Sequence, residues 1–142
     1  MRGGEGCGLC NDAHLPSNPF SDLLAETNWS FIRLCRNQTH PGYSVVVAKR
    51  HAPELHDLTV EERNGFWSDV AMIGRAISGL FQPVKLANLS MGFRMPHFHC
   101  HVYPQYQQDD PFRLIDITEG NVQLADDDWK ARISSIQELL TG

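Results

Sequence analysis

The sequence predicts an α+β fold in which a largely antiparallel sheet carries one long helix and a C-terminal helix. Two observations support this class. Apolar residues recur at helical spacing from Val60 to Phe81, and runs rich in β-branched and aromatic residues lie on both sides of this long helix. The 142 residues fit a single domain, 1–142, which is long enough to bury a hydrophobic core.

The N-terminal part is expected to be irregular and to lead into a hairpin. Residues 1 to about 28 are expected to lack regular structure apart from one short helix over residues 20–25. Residues 29–34 are rich in aromatic and branched side chains, which predicts the first strand. A turn containing Pro-Gly follows, and residues 43–50 form the predicted second strand of the hairpin.

The long helix is the most strongly patterned element. Thr59 followed three residues later by Glu62 is a capping-box signature at its start, and the helix is expected to end near Pro83. One apolar stripe runs along it, formed by Val60, Phe66, Trp67, Val70, Ile73, Ile77 and Phe81.

The remaining elements are a second strand pair and a terminal helix. Residues 84–93 and 97–104 are expected to be the third and fourth strands. Residues 125–140 are expected to form the C-terminal helix, because three aspartates occupy its first turn, where the helix dipole favours negative charge.

Composition and charge exclude some function classes. The net charge of −5 and the pI near 5.7 argue against a protein that binds duplex nucleic acid, although a small anionic ligand can still bind a locally positive site. No apolar run reaches membrane-spanning length, and the N-terminus lacks the apolar stretch of a signal peptide. We therefore expect a cytoplasmic protein without membrane contact, whose four cysteines are thiols or metal ligands rather than disulfides.

Three histidines alternate with apolar residues in the fourth predicted strand. On a strand, His97, His99 and His101 share one face, and the residues between them pack under the long helix. At about 3.3 Å per residue, the outer two stand roughly 13 Å apart, which is too far for one zinc ion with Zn–N bonds of about 2.0–2.1 Å. Adjacent histidines such as His97 and His99 could share a metal. The spacing favours a division of labour among the three.

A second group of candidate ligands begins with a C-x-x-C unit. Cys7 and Cys10 are compatible with a redox dithiol, half of a zinc site, or a chance pair. Together with His51 and His97 they would have the composition of a closed structural zinc site.

These motifs resemble the histidine triad (HIT) family. The segment "PHFHCHVYPQY" is similar to the family signature, and "GYSVVVAKRH", "ELHDLTVEE" and the long helix match the family layout. The likeness extends over roughly three quarters of the chain, from about Cys7 to Tyr106. It is closest to the bacterial branch that carries C-x-x-C near the start and Lys-Arg-His before the helix.

The resemblance implies a homodimer that binds a small-molecule nucleotide on the sheet of each subunit. By the family pattern, His99 attacks the α-phosphate of a nucleoside phosphoramidate or dinucleoside polyphosphate and forms a nucleotidyl-histidine that water hydrolyses. His101 contacts the phosphate or the leaving group. In the metal-binding branch, Cys7, Cys10, His51 and His97 bind a structural zinc ion, and no organic cofactor is implied.

Further nucleotide contacts are expected at Leu9 on the base side and at Asn88, Gly92 and Arg94 on the phosphate side. The chain also departs from the family pattern. Cys35 occupies the place of an aspartate that holds the ribose, and Phe93 replaces a polar amide. The family's phosphate-side asparagine aligns with Ala87, one place before Asn88. Arg94 either compensates with a bidentate phosphate contact or points into solvent.

Two other functions remain open on the sequence. The altered contacts at Cys35 and Phe93 favour a nucleotide-binding or interaction module with weak or no turnover. Alternatively, His97, His99 and another residue hold a catalytic metal. Chelation separates a catalytic metal from a structural zinc ion, because removing the first abolishes activity whereas removing the second lowers stability.

Overall fold

The computed structural model describes residues 6–141 and contains three α-helices and five strands in this range. The elements are α1 (Gly8–Asp12), β1 (Ser21–Glu26), β2 (Ser30–Cys35), β3 (Ser44–Ala48), a 3₁₀ turn (Leu55–Asp57), α2 (Val60–Phe81), β4 (Lys85–Leu89), β5 (His99–Gln105) and α3 (Asp126–Thr141). All strand pairs are antiparallel in the order β1-β2-β3-β5-β4, which confirms the predicted fold class. Residues 1–5 and 142 of the predicted domain lie outside the described residues.

The predicted helix over residues 20–25 is wrong, because this segment forms strand β1. Ser21 lies opposite Cys35 of β2, and the register shifts between Leu23 and Ala25. Six residues are too few for apolar spacing to separate a helix from a strand, so pairing with β2 decides the outcome. Helix α1 was not predicted; Cys7 caps it, and its Sγ accepts a hydrogen bond from the Cys10 N–H at 3.3 Å.

Helix α2 begins where the capping box predicts. The Glu62 N–H donates to Thr59 Oγ1 at 3.1 Å, and the Thr59 N–H donates to Glu62 Oε1 at 2.8 Å. The helix ends at Phe81, and its C-cap residue Gln82 has a left-handed φ of 51°, directly before Pro83. Among the described residues, none of the helices combines the length and apolar character needed to cross a lipid bilayer.

The sheet has one face in the hydrophobic core and one face that carries the histidines. Phe98, Cys100 and Val102 pack with Phe66 and Ile73 of α2, which confirms the predicted apolar face of β5. Helix α3 adds to the same core. Because direct partners in an antiparallel pair share a face, the register His99–Val47 and His101–Val45 sets these four residues on the opposite side. We call this side, with Tyr103, the histidine face.

A close contact between α2 and the indole of Trp29 leads to a stability prediction. A Cβ atom added at Gly65 would lie 2.2 Å from Trp29 ring atoms, whereas one added at Gly79 of the same helix meets only a Leu139 methyl carbon at 4.0 Å. We expect Gly65→Ala to lower the free energy of unfolding by about 1–3 kcal/mol through overpacking. The matched variant Gly79→Ala should raise it by up to about 1 kcal/mol through helix propensity. Urea denaturation measures both, and equal stability of the two variants would contradict the prediction.

Candidate functional site

The structure brings the four predicted metal ligands together. The ligand atoms of Cys7, Cys10, His51 and His97 all lie within 4.8 Å of one another. His97 Nδ1 lies 3.1 Å from His51 Nδ1, 3.3 Å from Cys10 Sγ and 3.5 Å from Cys7 Sγ, and Cys10 Sγ lies 3.2 Å from His51 Nδ1. A tetrahedron with zinc–ligand bonds of about 2.0–2.3 Å has edges of roughly 3.3–3.8 Å. The four atoms therefore surround a space of the size that a zinc ion needs.

Local structure explains why these atoms converge. Cys7 caps α1 and Cys10 lies in the first turn of that helix, while His51 follows the end of β3 and His97 precedes β5. The buried His97 donates from Nε2 to the Ala48 carbonyl at 2.7 Å, so its Nδ1 faces the group as an unprotonated ligand atom. A hydrogen bond from the ring nitrogen that does not bind the metal commonly fixes the orientation of metal-binding histidines.

The protonation chemistry of the group also fits a cation. Desolvation, followed by the neighbouring Cys7 sulfur, raises the pKa of the Cys10 thiol to about 11. Desolvation lowers the pKa of His97 and keeps its imidazole neutral, despite the opposing hydrogen bond to Ala48. Two thiols and two imidazoles are a donor set that zinc prefers, and a bound cation would stabilise the thiolates that the site otherwise disfavours.

His99 follows His97 by two residues, but its ring does not belong to the group of four candidate ligands. Its Nδ1 lies 2.6 Å from the His97 carbonyl oxygen and donates to it, which leaves the Nε2 lone pair available. Within residues 6–141, the cluster of candidate metal ligands consists of Cys7, Cys10, His51 and His97 and does not include His99. The geometry thus favours a metal ligand at 97 and a metal-free imidazole at 99.

His99 and His101 form a pair on the histidine face. Their ring centroids are 5.0 Å apart and the rings are nearly perpendicular, at 77°. Desolvation lowers the pKa of His99, and desolvation followed by the proximity of His99 lowers the pKa of His101 to about 4. Both imidazoles are therefore neutral near pH 7. The sequence predicts no role for the Tyr43 side chain, whose hydroxyl lies 2.8 Å from His101 Nδ1.

The loop between β4 and β5 approaches the nucleophile candidate. Gly92 has a φ of 134°, and a Cβ atom there would lie 2.9 Å from the Met95 carbonyl oxygen and 3.7 Å from His99 Cε1. Glycine therefore allows this backbone to pass close to the imidazole. Phe93 and Arg94 follow in the loop, and both side chains are exposed.

The other predicted nucleotide contacts are placed differently. Asn88 pairs with Val102, so it lies on the helix-covered side of the sheet, and the structure does not bring it together with the histidines. Ala87 pairs with Tyr103 on the histidine face, but its side chain has no polar atom. Leu9 is half-buried in α1, between the two cysteines of the metal group, and Cys35 is half-buried at the end of β2.

Comparison with protein families and curated proteins gives a consistent result. The HIT domain model matches residues 18–108. "Protein hit" of Bacillus subtilis is 30% identical over 84 residues, which cover 56% of this chain and 58% of that protein. An asymmetrical bis(5'-nucleosyl)-tetraphosphatase of Schizosaccharomyces pombe is 28% identical over 75 residues, covering 49% and 41%, respectively. The matches thus span about half the length of these curated relatives.

Solved structures share the fold at low sequence identity. A histidine triad protein of Bradyrhizobium japonicum has a TM-score of 0.76 at 16% identity, covering 84% of this chain and 90% of that one. One from Marinobacter aquaeolei has a TM-score of 0.76 at 19% identity, covering 85% and 89%. A HIT family member of Bacillus subtilis has a TM-score of 0.64 at 23% identity, covering 94% and 96%.

Proposed function

The chain belongs to the HIT domain family, and from this membership we propose that it is a nucleotide hydrolase or transferase that acts through a covalent intermediate on His99. Its substrate would be a nucleoside phosphoramidate or a dinucleoside polyphosphate. The observation that carries the proposal is the 2.6 Å hydrogen bond from His99 Nδ1 to the His97 carbonyl, which leaves Nε2 unprotonated on the histidine face. The likeness to the yeast tetraphosphatase supports the nucleotide chemistry.

In the proposed first step, the Nε2 lone pair of His99 attacks the α-phosphorus, and the bond from phosphorus to the leaving group breaks. The His99 ring then carries a positive charge, which the His97 carbonyl stabilises through the Nδ1–H bond. His101 donates a hydrogen bond to the departing group, which takes up its proton from solvent. In the second step, water attacks phosphorus and loses a proton to solvent, the bond from phosphorus to His99 Nε2 breaks, and the nucleoside monophosphate is released.

Contacts to the phosphate oxygens are proposed for His101, the Gly92 backbone and Arg94. These groups suit developing negative charge, because backbone N–H groups and a guanidinium are donors without a competing lone pair. Leu9 is proposed as an apolar contact for the base. Asn88 is not included in this set, since its register separates it from the histidine face.

Cys7, Cys10, His51 and His97 are proposed to hold a structural zinc ion, since their donor set and spacing fit it. When bound, the ion would cross-link the N-terminal segment, the end of the hairpin and the start of β5. A thiol-containing site suits a reducing compartment, which supports the expected cytoplasmic location. The expected homodimer is supported by large exposed apolar side chains such as Phe112 and Leu114, which are 93% and 90% exposed.

The test is to trap and map the intermediate. The purified chain would be incubated with nucleotides labelled at the α-phosphate, from both the phosphoramidate and the dinucleoside polyphosphate classes, then quenched in alkali and digested. We expect label on the peptide containing His99, and on His99 itself by fragmentation mass spectrometry. His56→Ala is the matched control, because the His56 side chain is 83% exposed, and it should retain the label. Nucleotide binding without label or monophosphate release would favour the binding module instead.

A further inference from the structure

Tyr43 is held rigidly beside the third histidine. It lies directly before β3 and is 7% exposed, and its hydroxyl is 2.8 Å from His101 Nδ1. Its ring meets Tyr103 edge-on, with centroids 5.1 Å apart. The Tyr43 carbonyl accepts from the Cys35 N–H at 3.0 Å and from Gln38 Nε2 at 3.1 Å. Both ends of the residue are therefore fixed, and the hydroxyl has little freedom to leave the imidazole.

The protonation states limit this hydrogen bond to a contact between a neutral phenol and a neutral imidazole. Burial, followed by the nearby Cys35 thiol, raises the pKa of Tyr43, so the phenol keeps its proton. A neutral imidazole has one protonated nitrogen and one that accepts. His101 is neutral near pH 7, and its Nδ1 lies within hydrogen-bond distance of a hydroxyl that can donate. If the Tyr43 O–H donates to Nδ1, the single ring proton of His101 resides on Nε2.

We propose that Tyr43 is a positioning residue that holds His101 in the Nε2–H tautomer, opposite to the tautomer of its neighbour His99. This inference rests on the proposed function. His99 has its proton on Nδ1 and offers a lone pair at Nε2, whereas His101 offers an N–H at Nε2. The pair thus combines a nucleophile with a hydrogen-bond donor. In the other tautomer, His101 would turn a lone pair towards an anionic phosphate, which is repulsive.

Cys35 extends this arrangement, although an aspartate usually occupies its place. Its thiol is adjacent to the Tyr43 hydroxyl, and burial raises its pKa to about 12, so it stays protonated. A protonated thiol can donate weakly to the phenol oxygen while the phenol donates to His101. Cys35 is thus engaged with Tyr43, which gives the residue a place in the site that does not require a ribose contact.

The test is Tyr43→Phe, which removes the hydroxyl and keeps the ring. Long-range ¹H–¹⁵N NMR of the full chain at pH 7 reports the tautomer of each imidazole without any substrate. We expect the His101 signals to be those of the Nε2–H form in the wild type and to shift towards the Nδ1–H form in Tyr43→Phe. With a nucleotide substrate, kcat should fall about tenfold while KM changes less than twofold, as expected for loss of one oriented hydrogen bond.

The matched control is Tyr106→Phe, which removes a half-buried hydroxyl that donates to the Pro41 carbonyl rather than to the histidine pair. It should leave the His101 signals and kcat unchanged. An unchanged His101 tautomer in Tyr43→Phe overturns the inference, as does an unchanged kcat beside a shifted tautomer. If the wild type turns over no nucleotide, the proposed function fails, and the tautomer shift alone decides whether Tyr43 orients His101.

Discussion

Replacing His99 by alanine is expected to lower kcat for nucleotide release by at least about 10⁴-fold, with no label trapped on the protein. Removing the nucleophile in an enzyme that works through a covalent intermediate costs rates of this order. The remaining groups can still bind and polarise a phosphate, but the Nε2 lone pair that attacks phosphorus is lost with His99. Steady-state and burst kinetics with the best substrate found in the trapping experiment measure the effect.

The control for this prediction separates chemistry from folding. His99 is 7% exposed, and its Nδ1–H donates a hydrogen bond to the His97 carbonyl. Alanine removes this hydrogen bond, which should lower the free energy of unfolding by about 1–3 kcal/mol. Circular dichroism and urea denaturation should show a folded variant. His101→Ala should lose activity by a smaller factor of about 10²–10³, because it removes a hydrogen-bond donor to the phosphate or leaving group rather than the nucleophile. Retention of more than a tenth of the wild-type kcat in His99→Ala would place the nucleophile elsewhere.

The sequence predicts those parts of the fold whose cause is local. The capping box at Thr59 depends on neighbours within a few residues and is correct. The centre of the predicted α2 stripe is also buried, whereas its first residue, Val60, is 64% exposed and does not join the core. The hairpin of β2 and β3 also follows from a short turn between two branched runs. Strand β1 depends on pairing with β2, and its own six residues do not encode that choice, which is why a helix was expected there.

The candidate site shows the same division. Metal ligands are recognisable because cysteine and histidine in that combination have few structural uses, and the four are indeed adjacent. The positions of Asn88 and Tyr43 relative to the histidines depend on the registers of β4 and β3 against β5. Shifting a strand by one residue moves every side chain to the other face. Asn88 therefore lies on the helix-covered side of the sheet, whereas Tyr43, for which the sequence predicts no role, lies beside His101.

Removing the proposed zinc ion is expected to lower the thermal midpoint by about 10 °C while the core sheet stays folded below the transition. A metal that binds only the native state contributes about 4 kcal/mol at a free concentration of 1,000 times Kd, and each kcal/mol shifts a chain of this size by about 2–4 °C. The loss should be smaller than in a zinc finger. The buried Arg33 also anchors the N-terminal segment, by donating to the carbonyls of Ala13 and Leu15. Calorimetry of the zinc-loaded and chelated protein measures this difference.

Two cysteine variants test whether the effect comes from the proposed ligands. Cys10→Ser removes a thiol from the site, so chelation should no longer shift its midpoint. Cys100→Ala removes a buried core thiol outside the site, so it should be less stable than the wild type but equally sensitive to chelation. Because the His97 carbonyl orients His99, a structural metal predicts that activity declines as the protein unfolds. If chelation abolishes activity without shifting the midpoint, the metal is catalytic, and the separation of roles between His97 and His99 is wrong.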